Sequence, residues 1–449
     1  MSTGNSTTTQ IGIDSVEGLK ERAQALKAME AKHSEEAHTS QEAVLERLDA
    51  FLHSLEQHLD QFEKYGLHKL SDIDREVVTM YQQFSSVRDS CQVQAGEMIS
   101  RSRSRLDKFI EIGGDATKYA KDSLANRSHE YLHSMEEKLG EFENQVSDII
   151  KKIDMQTEQF NETVRLAFQK YKTALLTIDD LPQDWKENPY ILRGYRFCDT
   201  SLSCFASIMS LHNETCNIWT HLLGFLGILS IAVYFYPNSE IFAQSTGYDK
   251  AIIYMYLTCA MSCLGFSTLW HIYSGIGHIH IKRRAACLDY TGISIQISGS
   301  ILATQYYAFY CQPVKQLCYM SCTAVLGVIG AYMTSSPTFD LSDNRIIRIA
   351  FFVGFALLGL VSVLHLSYER GLSLTMSFFW PVVKSNLWYL YGLVFYGLLI
   401  PERFFPGTVF DWIGMSHNFW HIAVFAGVYF GYEAFQQQMA QAEAYSCMI

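Results

Sequence analysis

The sequence predicts an all-α protein: a seven-transmembrane helix bundle with a cytosolic amino terminus, preceded by a helical coiled-coil or bundle domain. Three observations predict it. Charge is unevenly spread: of 35 Lys+Arg and 46 Asp+Glu, residues 1–185 hold 22 and 33, leaving 13 and 13 for residues 186–449. A lipid-embedded region is depleted in charge in this way. No proline precedes Pro182, and the first part is rich in Glu, Lys, Gln and Leu, which reads as long helix. From residue 211 onward apolar runs recur, several about 18–22 residues long, enough to cross a ~30 Å hydrocarbon core.

Residues 1–15, rich in Ser and Thr, read as a disordered tail. Residues 16–181 form the acidic helical domain. Leu45, Leu48, Leu52, Leu55, Leu59 and Phe62 alternate spacings of three and four, as do Leu132, Met135, Leu139, Phe142, Val146, Ile149 and Ile153. That is the a/d seam of a coiled coil. Gly113-Gly114 separates the two runs. The spacing leaves open whether these helices fold back on themselves or pair with a second copy or another protein. The acidic balance argues against nucleic acid as a partner, and Arg101, Arg103, Arg105 and Lys108 read as a solvated helix face.

Residues 182–210 mix aromatics with charge, as at a membrane interface. The membrane domain, residues 211–436, carries spans near 219–236, 251–272, 288–309, 314–334, 346–366, 382–400 and 416–435, and 437–449 remain as a tail. Pro381 and Lys384 blur the start of the sixth; a misreading of spans three and four, or of the fifth and sixth, would leave five spans. Lys282, Arg283 and Arg284 follow span two, and Arg345 and Arg348 follow span four, so the positive-inside rule places the amino terminus in the cytosol. No signal peptide is read, so span one would direct insertion. The eleven cysteines contain no CxxC pair and suggest no secreted disulfide framework.

Ionisable groups within spans are costly and point to function. His271 ends span two, Asp289 opens span three, and His417 and His421 open span seven. Seven alternating spans place all four at one depth, on the amino-terminal side. His417 and His421 are one helical turn apart and share a face. With His271 they make three imidazoles, the usual protein share of a catalytic zinc site. Asp289 is a candidate general base, and Ser267, one turn before His271, a hydrogen-bonding partner in the same pocket. His212, Glu214 and His221 at the start of span one are expected to form a polar network at this face. His278 and His280 read as solvated, and His365 falls at the opposite face.

These residues carry a family resemblance. HNETCNIWTHLLGF (212–225), STLWH (267–271), LDYTGI (288–293), IPERFFPG (400–407) and SHNFWH (416–421) resemble, in order and spacing, the progestin and adipoQ receptor family on its adiponectin-receptor side. The long amino-terminal extension is similar to that of Izh-type fungal members. The resemblance implies seven spans, a cytosolic amino terminus and one zinc ion on His271, His417 and His421, with Asp289 holding the zinc-bound water. Asn418 stands where many members carry Gln, and is expected to face away from the site.

The expected function is a zinc-dependent, ceramidase-like hydrolase of a membrane lipid amide, involved in lipid and zinc homeostasis, in the plasma membrane or endoplasmic reticulum. The alternative is a signalling receptor or regulator with a structural zinc ion and no turnover. A transporter would place ionisable groups along a whole pore, whereas here they gather mostly at one face.

Overall fold

The structure is a computed structural model that describes residues 154–336, 339 and 345–447, with isolated positions from 137 to 152. The tail 1–15 and both heptad runs lie outside the described residues. The chain divides into compact units at Asp154/Met155, and the second unit, Met155–Ile449, holds the helices and the site.

A helix over residues 155–171, α1, leads into a short antiparallel pair, β1 (Leu176–Thr177) and β2 (Arg193–Tyr195), with Leu176 opposite Tyr195. Ala167, Leu176, Leu181, Trp185 and Phe197 close a small apolar core together with Ile279 from the start of a later helix. Residues 155–181 therefore pack with the bundle's first residues.

Long helices come next: α2 (Thr215–Ser230, extended by a π-turn to Phe235), α3 (Gly247–Tyr273), α4 (Ile279–Ala308) and α5 (Pro313–Thr334). Then come α6 (Arg345–Leu358), α7 (Leu360–Arg370), α8 (Leu372–Leu398) and α9 (Ser416–Ser446). Gly359 divides α6 from α7, and Gly371, at φ +86°, divides α7 from α8. Each of the seven expected segments falls on this helical framework. Among the described residues, four stretches are long and apolar enough to cross a membrane: Thr215–Phe235, Gly247–Tyr273, Pro313–Thr334 and Ile346–Arg370. Val314, Leu317, Val328 and Tyr332 on α5 and Ile346 and Leu364 on α6 and α7 are exposed. A lipid surround would spare such side chains the unfavourable contact with water.

Three boundaries differ from the sequence reading. Helix α4 starts at Ile279, well before residue 288. Its first turns carry Lys282 and Arg283, which linear hydropathy counts as loop. Both side chains are buried and paired, Lys282 with Glu187 (2.5 Å) and Arg283 with Asp184 (3.3 Å). Helix α8 starts at Leu372 and contains Pro381 in its interior, which bundled helices tolerate when neighbours satisfy the freed carbonyl. Residues 437–446, expected as part of a tail, continue α9 and bury Gln438, Ala442 and Tyr445.

Helix α9 packs along α8 and also meets α2, α3 and α4. Small residues allow this. A Cβ on Gly427 would stand 2.6 Å from the Tyr389 ring, and one on Gly431 would collide with the Tyr256 hydroxyl. The close approach lets Tyr256 donate to Val428 O (2.8 Å) and Ser385 to Gly427 O (2.6 Å). Small residues at helix contacts serve the same end in membrane bundles generally.

Candidate metal centre

Two helices, α3 and α9, bring His271, His417 and His421 together, and α2 backs them. His271 lies two residues before the end of α3, where carbonyls lack intrahelical donors. Its carbonyl accepts instead from Arg196 Nη2 (2.7 Å) and Ser274 Oγ (3.0 Å). Arg196, in the segment before the bundle, also donates to Ser207 Oγ (2.5 Å). His417 and His421 occupy the first turns of α9. The start of that helix is capped by Glu402, fully buried in the loop after α8. Glu402 accepts from Ser416 N (2.7 Å), from the Ser416 hydroxyl and from Asn188 Nδ2 (3.0 Å).

The three imidazoles turn their Nε2 atoms toward one another. His271 Nε2 is 3.1 Å from His417 Nε2 and 3.2 Å from His421 Nε2. One donor atom from each lies within 4.8 Å of the others. The far nitrogens determine what these contacts are. His271 Nδ1 is 2.7 Å from Glu214 Oε2, a carboxylate that can only accept. His421 Nδ1 is 3.2 Å from Asn217 O and 2.9 Å from Thr220 Oγ1, whose own hydrogen goes to Cys216 O (2.7 Å). Both rings thus carry their proton on Nδ1 and present a lone pair at Nε2. Two lone pairs at 3.2 Å repel unless a cation lies between them. Nitrogens about 2.05 Å from a tetrahedral zinc stand roughly 3.3 Å apart, close to the two spacings from His271 Nε2. The donor set and its protonation therefore fit a divalent metal.

The surroundings fix ring orientation. His221 on α2 stacks on His421, with centroids 3.5 Å apart and planes at 11°. Glu214, just before α2, also accepts from Asn217 Nδ2 (2.8 Å). Burial pushes its carboxyl up, but the bonds from His271 and Asn217 and the charge of Arg196 outweigh that and hold it at about 2. His212 is fully buried, with Nε2 at 3.1 Å from Ser207 O and Nδ1 accepting from Glu214 N (3.1 Å). Of the polar network expected from His212, Glu214 and His221, the structure joins His212 to Glu214, and Glu214 holds His271 from behind, whereas both ring nitrogens of His221 are buried without a hydrogen-bond partner and that residue contributes its ring face alone.

Asn418 is buried, donates to Asn217 Oδ1 (2.6 Å) and accepts from Gly414 N (2.8 Å). It therefore ties the start of α9 to α2. Asp289 and Ser267 lie on α4 and α3, the latter helix being the one that carries His271. Asp289 lies ten residues into α4 rather than at its start, half-buried and close enough to Cys263 to interact electrostatically. Ser267 is buried on α3 one turn before His271. His365 lies at another site, with Nδ1 2.7 Å from Tyr319 OH and Nε2 3.1 Å from Glu369 Oε1.

Sequence reasoning missed Arg196, Asn217, Thr220 and Glu402 as supports of the site. Asn217 and Thr220 sit in HNETCNIWTH and Glu402 in IPERFFPG, so polar residues inside recognisable stretches were the available signal.

A model for haemolysin-III-related proteins matches residues 209–432, which include all three histidines. The chain belongs to this family, that of the progestin and adipoQ receptors. An uncharacterized protein of Schizosaccharomyces pombe is 34% identical over 438 residues, 96% of this chain and 97% of that one. The similarity to it therefore includes the amino-terminal extension. The ADIPOR-like receptor IZH3 of Saccharomyces cerevisiae is 41% identical over 244 residues, 53% of this chain but only 45% of that protein. The heptahelical transmembrane protein ADIPOR1 of Oryza sativa subsp. japonica is 31% identical over 322 residues, 59% of this chain and 84% of that one.

Proposed function

We propose that this family member is a seven-span membrane protein with a cytosolic amino terminus. It holds one zinc ion on His271, His417 and His421 and hydrolyses a sphingolipid amide of the ceramide type. The observation that carries the reading is the convergence of Nε2 atoms, with the Nδ1 protons of His271 and His421 already committed. Bound there, zinc would supply a Lewis acid for an amide carbonyl and lower the pKa of a water toward ~7.

The chain's own residues do the remaining work. Glu214 keeps His271 in the Nδ1–H tautomer, which raises its basicity as a ligand. Asn217 O and Thr220 do the same for His421, and the stacked His221 ring restricts its rotation. Asp289 would take the proton from the attacking water, and Ser267 would donate a hydrogen bond in the same pocket. The apolar tails of the substrate would lie between helices, with the head group near the cytosolic face. The extension would serve self-association or a protein partner.

A second reading is favoured by the names of several relatives, which call them receptors: zinc fixes the helices and nothing turns over. Release of sphingosine from labelled ceramide by the purified full chain separates the two. The hydrolase reading expects activity that is lost in His417→Ala together with zinc, and lost in Asp289→Asn with zinc retained. An inactive wild type with one zinc per chain, unfolding on chelation, would replace it with the receptor reading.

A further inference from the structure

The opposite end of the bundle carries a bond that the sequence did not announce. Cys311, in the turn between α4 and α5, is joined to Cys447, just past α9, with Cα atoms 5.2 Å apart and a sequence separation of 136 residues. The other eight described cysteines are free. Both bonded residues are exposed. Their neighbourhood is built to hold them together: Cys311 N donates to Ser446 Oγ (2.9 Å). Arg370 donates to Tyr445 O and to Ser446 O (3.0 Å), and lies over the Tyr445 ring at 4.8 Å. Tyr445 in turn stacks on Phe378 of α8, 4.1 Å between centroids.

We infer that Cys311–Cys447 is a structural disulfide, and that it marks this end of the bundle as the side outside the cytosol. Thiols facing the cytosol are kept reduced, whereas a stable exposed disulfide needs an oxidising compartment. In forming it, the two thiols lose two protons and two electrons to the disulfide of a thiol–disulfide exchange partner, which leaves as a dithiol. The bond joins the end of α4 to the end of α9, and the histidines lie at the start of α9. The centre is then cytosolic, the side that the basic residues indicate on unrelated grounds. The inference rests on the seven-span reading but on neither zinc nor hydrolysis.

The test uses the full chain in sealed vesicles with the cytosolic face outward. Free thiols are blocked under denaturing conditions, disulfides are reduced, and newly freed thiols are counted with a maleimide-coupled polymer. Two tags are expected on the wild type, and none on Cys311→Ser or Cys447→Ser. A membrane-impermeant reductant should leave the bond intact until detergent opens the vesicles. No tags on the wild type would overturn the disulfide. Two tags lost to the impermeant reductant in sealed vesicles would overturn the orientation while leaving the bond. Because a serine variant can misfold, the linked peptides are also identified directly in the wild type by mass spectrometry. Zinc content measured on the same preparation shows separately whether the metal reading stands.

Discussion

The two ends of α9 can be compared directly. At its start, most ties end on side chains: Glu214 fixes His271, the Asn217 carbonyl and Thr220 fix His421, Asn418 grips Asn217, and His221 covers a ring face. At its finish, the ties run mainly to backbone: Arg370 binds the carbonyls of Tyr445 and Ser446, beside the bond from Cys447 to Cys311. The first pattern sets the direction of individual nitrogen atoms. The second pins a helix end without aiming any group. Orientation of donor atoms is what a metal site requires, so the difference separates a functional end from an anchoring one.

Three substitutions would break or sharpen that contrast. The largest effect is expected from Glu214→Gln, which takes the charged acceptor from behind His271. Zinc affinity, measured by chelator competition, should fall roughly 10–100-fold, while Cys447→Ser leaves it unchanged. Equal losses in both variants would erase the distinction. Next comes Glu402→Gln, which weakens a buried carboxylate cap at the start of α9. A stability loss of about 2 kcal/mol is expected by thermal or denaturant unfolding, with zinc still bound at one per chain.

The smallest effect concerns pH. Burial, with the Arg196 charge, lowers His212 from 6.5 to about 4. A histidine depressed in the fold binds its proton more readily when unfolded, so its stabilising share is full above its unfolded value of 6.5 and lost as pH falls toward 4. The unfolding temperature should drop by a few degrees over that window. The slope should flatten in His212→Asn, and an unchanged slope would remove His212 from the account.

Much of the site was legible in sequence because alternating spans convert position along the chain into depth. That logic joined His271 to His417 and His421 across some 146–150 residues. It placed Asp289 less well, because it took the start of α4 from hydropathy. Lys282 and Arg283 look like loop until Glu187 and Asp184, about a hundred residues earlier, are seen to neutralise them. Glu402 was illegible for a similar reason: its value lies in Ser416 N and Asn188, which no periodicity connects. The heptad reading of the extension falls outside the described residues.

Arg196 has a practical corollary for anyone choosing where to cut this protein. The family match runs from 209 to 432, yet Arg196, Asp184 and Glu187 lie upstream of it, and Tyr445 and Cys447 downstream. A fragment trimmed to the match would remove one of the two donors to the His271 carbonyl and the carboxylates of Glu187 and Asp184 that pair with Lys282 and Arg283, and would free the end of α9. The smallest piece expected to keep its shape in detergent begins near Met155 and runs through Cys447.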